Sequence, residues 1–324
     1  MLKMPCWSLP EQWVIGTLTL LLLAQGTPTT LGQLVRPKGA ATKRAEDWEP
    51  VAGYKYREID GFRLLVQNAV IEENRKSTDR RKPLDVLQIE LGMIVHDLPP
   101  RCVTVLRTIP IWVEWDMQNH EDAEGRAAVA VYHPGNKINK RYRYDTLENA
   151  VKANCVDIVT MKLLTAEHQG ERHRCVLLHE FSHAVHHHVF DEDNPVIKAA
   201  YAHAMSQGLY QNQYASTNEK EYFAEISCAY FGHLHYLPHT RAELQKYDPV
   251  GYRMMELTWG TPKEIEQAQR PEREKTAMTK LVAARKLLRD KQKQREGTEA
   301  LRALVEEYPG TRAANDAVKL IEKQ

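Results

Sequence analysis

The chain has 324 residues, 43% of them hydrophobic, enough for one large packed domain plus an appendage. Its 44 basic and 43 acidic residues leave a net charge of +1, a balance that argues against a dedicated nucleic-acid or membrane surface. Residues 1–26 read as a secretory signal. Lys3 supplies a weak basic start, residues 14–24 form an apolar core too short to span a bilayer as an ordinary helix, and Ala24 and Gly26 are small enough for cleavage nearby. An uncleaved anchor is the other reading of this segment. A signal implies export, and therefore a secreted or periplasmic location. Residues 27–50, rich in Thr, Pro, Lys and Ala, read as a flexible leader.

From residue 51 the pattern becomes that of a folded domain. Residues 54–71 carry short strand-like segments around the turn signal Asp60-Gly61, and residues 72–82 read as a polar loop. Leu84, Leu87, Leu91, Ile94 and Leu98 follow helical spacing over 83–98, and Pro99-Pro100 stops the run. Residues 103–115 hold two β-rich runs, and a polar loop covers 117–126. Residues 127–132 and 156–164 are further strand candidates. Asn194-Pro195, Thr240 with Glu243, Asp248-Pro249 and Thr261 with Glu264 all signal helix starts, so the second half reads as mostly helical. Residues 266–324 are rich in Lys, Arg, Glu, Ala and Leu. They read as a helical hairpin of tetratricopeptide type broken at Tyr308-Pro309-Gly310-Thr311, too short for a repeat stack and suited to capping the domain or docking a partner.

The strongest chemical signal is His179-Glu180-Phe181-Ser182-His183. On a helix, positions four apart share a face, so His179 and His183 can reach one ion, while Glu180 can take a proton from a water beside it. Three protein ligands and one open position are the usual catalytic zinc site. Val189 stands where a metzincin would place its third histidine, which excludes that subtype. About forty residues on, Glu221 and Glu225 are again four apart. One carboxylate can bind the metal while the other accepts the N–H of a ligating histidine. Glu219 and Glu225 are rival third ligands, and spacing from Tyr214 favours Glu221.

Together, His179–His183 and the stretch Tyr214-x6-Glu221-x3-Glu225 resemble the catalytic domain of the anthrax lethal factor type of gluzincin. The resemblance spans roughly residues 54–260 and includes Tyr132-His133-Pro134 and Tyr230-Phe231-Gly232. It implies an α+β, zincin-like domain over 51–265, made of a small sheet, a metal helix and a mostly helical second half. It also implies one Zn2+ held by His179, His183 and Glu221, with Glu180 as general base, Tyr214 steadying the oxyanion, and Glu225 supporting a ligand from behind. The implied activity is peptide-bond hydrolysis by Glu-assisted attack of a zinc-bound water on a peptide or protein substrate, and the fold brings a cleft-edging strand, assigned to 156–164, able to pair with an extended peptide. A zinc-binding, catalytically inactive interaction protein and a scaffold with a chance motif are the competing classes.

His186, His187 and His188 read as a polar helix end, and His233, His235 and His239 as loop histidines. Without the signal, four cysteines remain. Cys175 and Cys228 each lie about one turn from a ligand helix's key residue, which suggests a bridge between them and, by default, one from Cys102 to Cys155. Four buried thiols are the alternative.

Overall fold

The computed structural model describes residues 51–117, 128–134, 152, 154–170, 174–190 and 193–323. The expected signal and leader, and all but the first residue of the polar loop at 117–126, lie outside the described residues.

The domain opens on a hairpin. Strand β1 (Tyr54–Ile59) runs antiparallel to β2 (Phe62–Gln67), with Ile59 opposite Phe62. Between them Asp60 and Gly61 take φ of 49° and 80°, the left-handed pair that a two-residue hairpin requires. A Cβ on Gly61 would stand 2.8 Å from Arg107 Nε, so a larger residue there would also have to push that side chain aside. β2 pairs in parallel with β3 (Ile111–Val113), β3 in parallel with β5 (Cys155–Ile158), and β5 antiparallel with β4 (Val131–His133). The sheet order is β1-β2-β3-β5-β4, which leaves β4 at an edge.

Strand alternation sorts the two faces. Phe62, Leu64, Val66, Ile111, Val113, Val156 and Ile158 enter the main core with the helices. Leu65, Trp112 and Cys155 form a small cluster on the other face, against Tyr54. Beside that cluster, buried Lys152 Nζ lies 2.7 Å from Glu114 Oε1 and 2.9 Å from Asp157 Oδ2, and so bridges two buried carboxylates.

Helices α1 (Asn68–Lys76), α2 (Pro83–Asp97), α3 (Pro100–Leu106) and α4 (Met161–Glu167) cover the first half. α2 matches the expected helix, with Leu87, Leu91 and Ile94 in the core. Three expectations fail. The polar loop begins only after α1, whose Val70 is buried. The β-rich run at 103–108 is mostly α3, because Pro100 opens a new helix and Cys102, Val103 and Leu106 bury one face of it. β5 stops at Ile158, and the rest of the strand candidate at 156–164 turns into α4, which buries Met161 and Leu164.

The second half is helical: α5 (Val176–Val189), α6 (Pro195–Ser206), α7 (Glu219–Phe231), α8 (Arg241–Tyr247), α9 (Pro249–Thr258), α10 (Pro262–Arg289), α11 (Gln294–Glu307) and α12 (Arg312–Ile321). The cap signals act as read. Asn194 Oδ1 accepts from Val196 N at 2.9 Å, and Asp248 Oδ1 from Gly251 N at 2.8 Å. Thr261 and Glu264 close a reciprocal capping box, with Thr261 N 2.8 Å from Glu264 Oε2. α10 runs unbroken through residue 266, and its far half packs with α11 and α12 around Ala277, Leu281, Leu301, Leu304 and Ala317. The tail is thus a hairpin followed by a third helix. Among the described residues no helix is long and apolar enough to cross a membrane.

Neither expected disulfide forms: Cys102, Cys155, Cys175 and Cys228 are free and buried. Cys102 sits on α3 in the main core while Cys155 points to the opposite face of the sheet, so the sheet itself separates them. Cys228 Sγ meets the Cys175 carbonyl oxygen at 3.9 Å. Burial pushes all four thiols up, Cys102 to about 12, so none is a thiolate at neutral pH.

Candidate metal centre

Helix α5 carries the motif, and a distant carboxylate fixes where it starts. Cys175, before its first residue, makes no side-chain cap. Instead Glu90 of α2 reaches across the core and accepts from Val176 N at 3.2 Å and Leu177 N at 2.8 Å. His168 Nε2 lies 2.8 Å from the same carboxylate, and both side chains are fully buried. An anion at a helix N-terminus meets both unpaired N–H groups and the positive end of the helix dipole. On α7, Asn218 Oδ1 accepts from Lys220 N at 2.9 Å and Glu221 N at 3.0 Å, which sets the first turn where Glu221 sits.

The two helices bring three donor atoms together. His179 Nε2, His183 Nε2 and Glu221 Oε2 form a triangle whose three sides are each 3.1 Å. A tetrahedral zinc ion with donors about 2.0–2.1 Å away spaces them about 3.3 Å apart, so the triangle fits such an ion. Electrostatics point the same way. Burial works against charge on His179, yet Cys228, Glu221 and Glu225 hold its pKa well above the ordinary value. Burial would also raise Glu221, but the histidines beside it hold its carboxyl far below the usual range. The donor set therefore calls for a positive charge between its members. Among the described residues this is the one group of three His, Cys, Asp or Glu side chains close enough to hold an ion.

The rivals are placed elsewhere. Glu225 Oε1 lies 2.7 Å from His179 Nδ1, behind the ring, so it keeps the proton on Nδ1 and the Nε2 lone pair toward the triangle. Burial, and then the charge of Glu219, raise the Tyr201 phenol, which places Glu219 on that side. Tyr214 stands on a short 3-10 turn, its ring centroid 5.8 Å from that of His179. Tyr236, which the spacing did not mark, accepts from Ala215 N at 3.2 Å and so ties that turn down.

Glu180 is 7% exposed, and its Oε2 accepts from the Tyr132 backbone N–H at 2.7 Å. Burial raises its pKa and the charge on Glu221 adds to the effect, against His179, His183 and the Tyr132 N–H. The strand nearest the motif is thus β4, the edge strand, and not the segment at 156–164. The Tyr132 side chain faces α5 as well, with Oη 3.0 Å from His187 Nδ1 and 2.8 Å from His188 Nε2, so these two histidines are more than a polar helix end. His233 Nε2 lies 2.5 Å from Asp97 Oδ2, which joins the end of α7 to the end of α2. Arg174, just before α5, is mostly buried and feels the charges of Glu167, Glu225 and Glu180.

No curated protein and no solved structure matches the chain. Residues 132–258 match the family model described as anthrax toxin lethal factor, N- and C-terminal domain. The match is narrower than the resemblance read over 54–260, but it runs from Tyr132 on β4 to the end of α9 and holds every residue of the centre except the Glu90 cap. Over these residues the metal-centre region of this chain is similar to the lethal-factor-like family, a family of zinc metalloproteases.

Proposed function

We propose that the protein is a zinc-dependent metalloendopeptidase that cleaves peptide bonds in an exported peptide or protein substrate. The observation that carries this reading is the 3.1 Å triangle of His179, His183 and Glu221 with the buried carboxylate of Glu180 held beside it. Zinc bound by those three side chains would supply Lewis acidity, lowering the pKa of water and polarising a carbonyl.

The protein's own groups do the rest. Glu180 is the base: it takes a proton from water and delivers it to the amine that leaves. Its burial suits that task, because a desolvated carboxylate holds a proton more readily than a solvated one. The Tyr132 N–H fixes one of its oxygens and leaves the other for the proton. Glu225 holds the His179 tautomer that has a lone pair to give. Tyr214 offers a phenolic hydrogen to the oxygen that becomes negative as the carbonyl is attacked. The signal-like residues 1–26 support a place outside the cytoplasm, and the helices of the tail are a docking surface for a partner.

The test is Glu180→Gln. It keeps the zinc and lowers peptide hydrolysis by about three orders of magnitude or more. Hydrolysis at the wild-type rate in that variant would overturn the assignment.

A further inference from the structure

Beyond His183, helix α5 continues through His186, His187 and His188. His186 turns inward, 3% exposed, with its ring 5.1 Å from that of Phe223. His187 and His188 are half-buried, their ring centroids 4.7 Å apart, and both converge on the Tyr132 phenol. A hydroxyl has one hydrogen, so Oη donates to one ring and accepts from the other.

Two imidazole nitrogens of a helix therefore face one phenol oxygen of a strand. Their separations of 3.0 and 2.8 Å from Oη are close to the 3.1 Å sides of the first triangle. The position favours a cation. These residues form the last turn of α5, where unpaired carbonyls carry partial negative charge. His187 is one turn past His183, about 6 Å along the helix, so the cluster is separate from the first triangle but adjoins it. Burial, then the neighbouring His187, hold the His188 pKa below its ordinary value, and a neutral imidazole is what a metal takes as ligand.

We propose that Tyr132, His187 and His188 form a second, weaker metal site for a divalent transition cation of the zinc type, and that filling it slows catalysis. The ion takes the place of both hydrogens between Oη and the rings: the phenol proton leaves to solvent, and the ring that donates to Oη carries its proton on its other nitrogen instead, with no change of oxidation state. Water completes the shell, since the cluster is half-buried and provides only three protein donors. The link to rate is Tyr132 itself. Its backbone N–H holds Glu180 Oε2 at 2.7 Å, so an ion that draws the phenol toward α5 disturbs the group that orients the base. The effect on rate rests on the peptidase reading, while the binding does not.

The experiment is a zinc titration of the untagged chain by equilibrium dialysis and mass spectrometry. It compares wild type, Glu221→Ala, His188→Ala and the double variant, with circular dichroism confirming that each is folded. The expected result is about two ions per wild-type chain, about one in each single variant and none in the double variant. Peptide cleavage by the wild type then falls about tenfold as the second ion binds, and His188→Ala resists that inhibition. A wild-type stoichiometry that stops at one, with that one ion lost in Glu221→Ala, overturns the proposal. So does an ion in Glu221→Ala that survives His188→Ala. Binding of the second ion with an unchanged rate overturns the inhibitory half. Failure of the peptidase reading looks different: the tighter ion, removed by Glu221→Ala, would be absent from the start.

Discussion

Glu90 Oε2 accepts the Leu177 N–H at 2.8 Å, so a carboxylate on α2 caps the helix that carries the metal ligands, 87 residues away in sequence. The same side chain meets Val176 N and buried His168. Glu90→Ala strands two backbone donors and an imidazole in the core and should cost about 3 kcal/mol of stability. Denaturant unfolding of the variant measures it. A loss under about 0.5 kcal/mol, the range of ordinary surface substitutions, would mean that the cap does not anchor α5.

Glu225 touches the back of His179 and not the triangle. Glu225→Gln should therefore retain zinc with about 10–100-fold weaker affinity, whereas Glu221→Ala should lose it. Competition with a chromophoric chelator distinguishes the two. Total loss in Glu225→Gln would make Glu225 a ligand.

Tyr214 lies beside His179 on its own turn, outside the donor triangle. Tyr214→Phe should keep zinc content and KM and lower kcat about a hundredfold, the cost of one oxyanion donor. An unchanged kcat would reduce Tyr214 to a packing residue.

Asp97 joins His96 and His233 at the junction of α2 and α7. Burial would raise its pKa, but its contacts with His233 and His96 outweigh burial and lower it. The hydrogen bond to Asp97 raises His96. A lowered carboxylate contributes stability that is lost as pH falls through its folded pKa, and a raised histidine contributes stability that is lost as pH rises through its own. The difference in melting temperature between wild type and Asp97→Asn should thus peak at about pH 5–6 and shrink on either side. A difference that is flat from about pH 4 to 8 would show that the contact is not ionic.

Much of the centre was legible in the sequence because helical spacing alone puts His179 with His183 and Glu221 with Glu225 on single faces. The capped helix starts were equally legible, since Asn194, Thr240, Asp248 and Thr261 act on residues two or three positions away. What spacing missed is long-range. Glu90, the Tyr132 N–H on Glu180, and the Tyr236 contact with Ala215 depend on how elements pack, and no local pattern encodes them. The run 103–108 misled because Val103, Thr104 and Val105 favour strand locally, while Pro100 and the burial of one face impose a helix. The cysteine pairing misled because helix phase puts Cys175 and Cys228 close together without making their sulfurs meet.

The most direct test of the central claim is zinc content of the purified chain by mass spectrometry, with all samples dialysed at limiting free zinc so that only the tighter site fills. About one ion in wild type and Glu180→Gln, and none in Glu221→Ala, is the predicted result. A wild type without zinc after reconstitution, or a Glu221→Ala chain that holds it as tightly as wild type, would contradict the account.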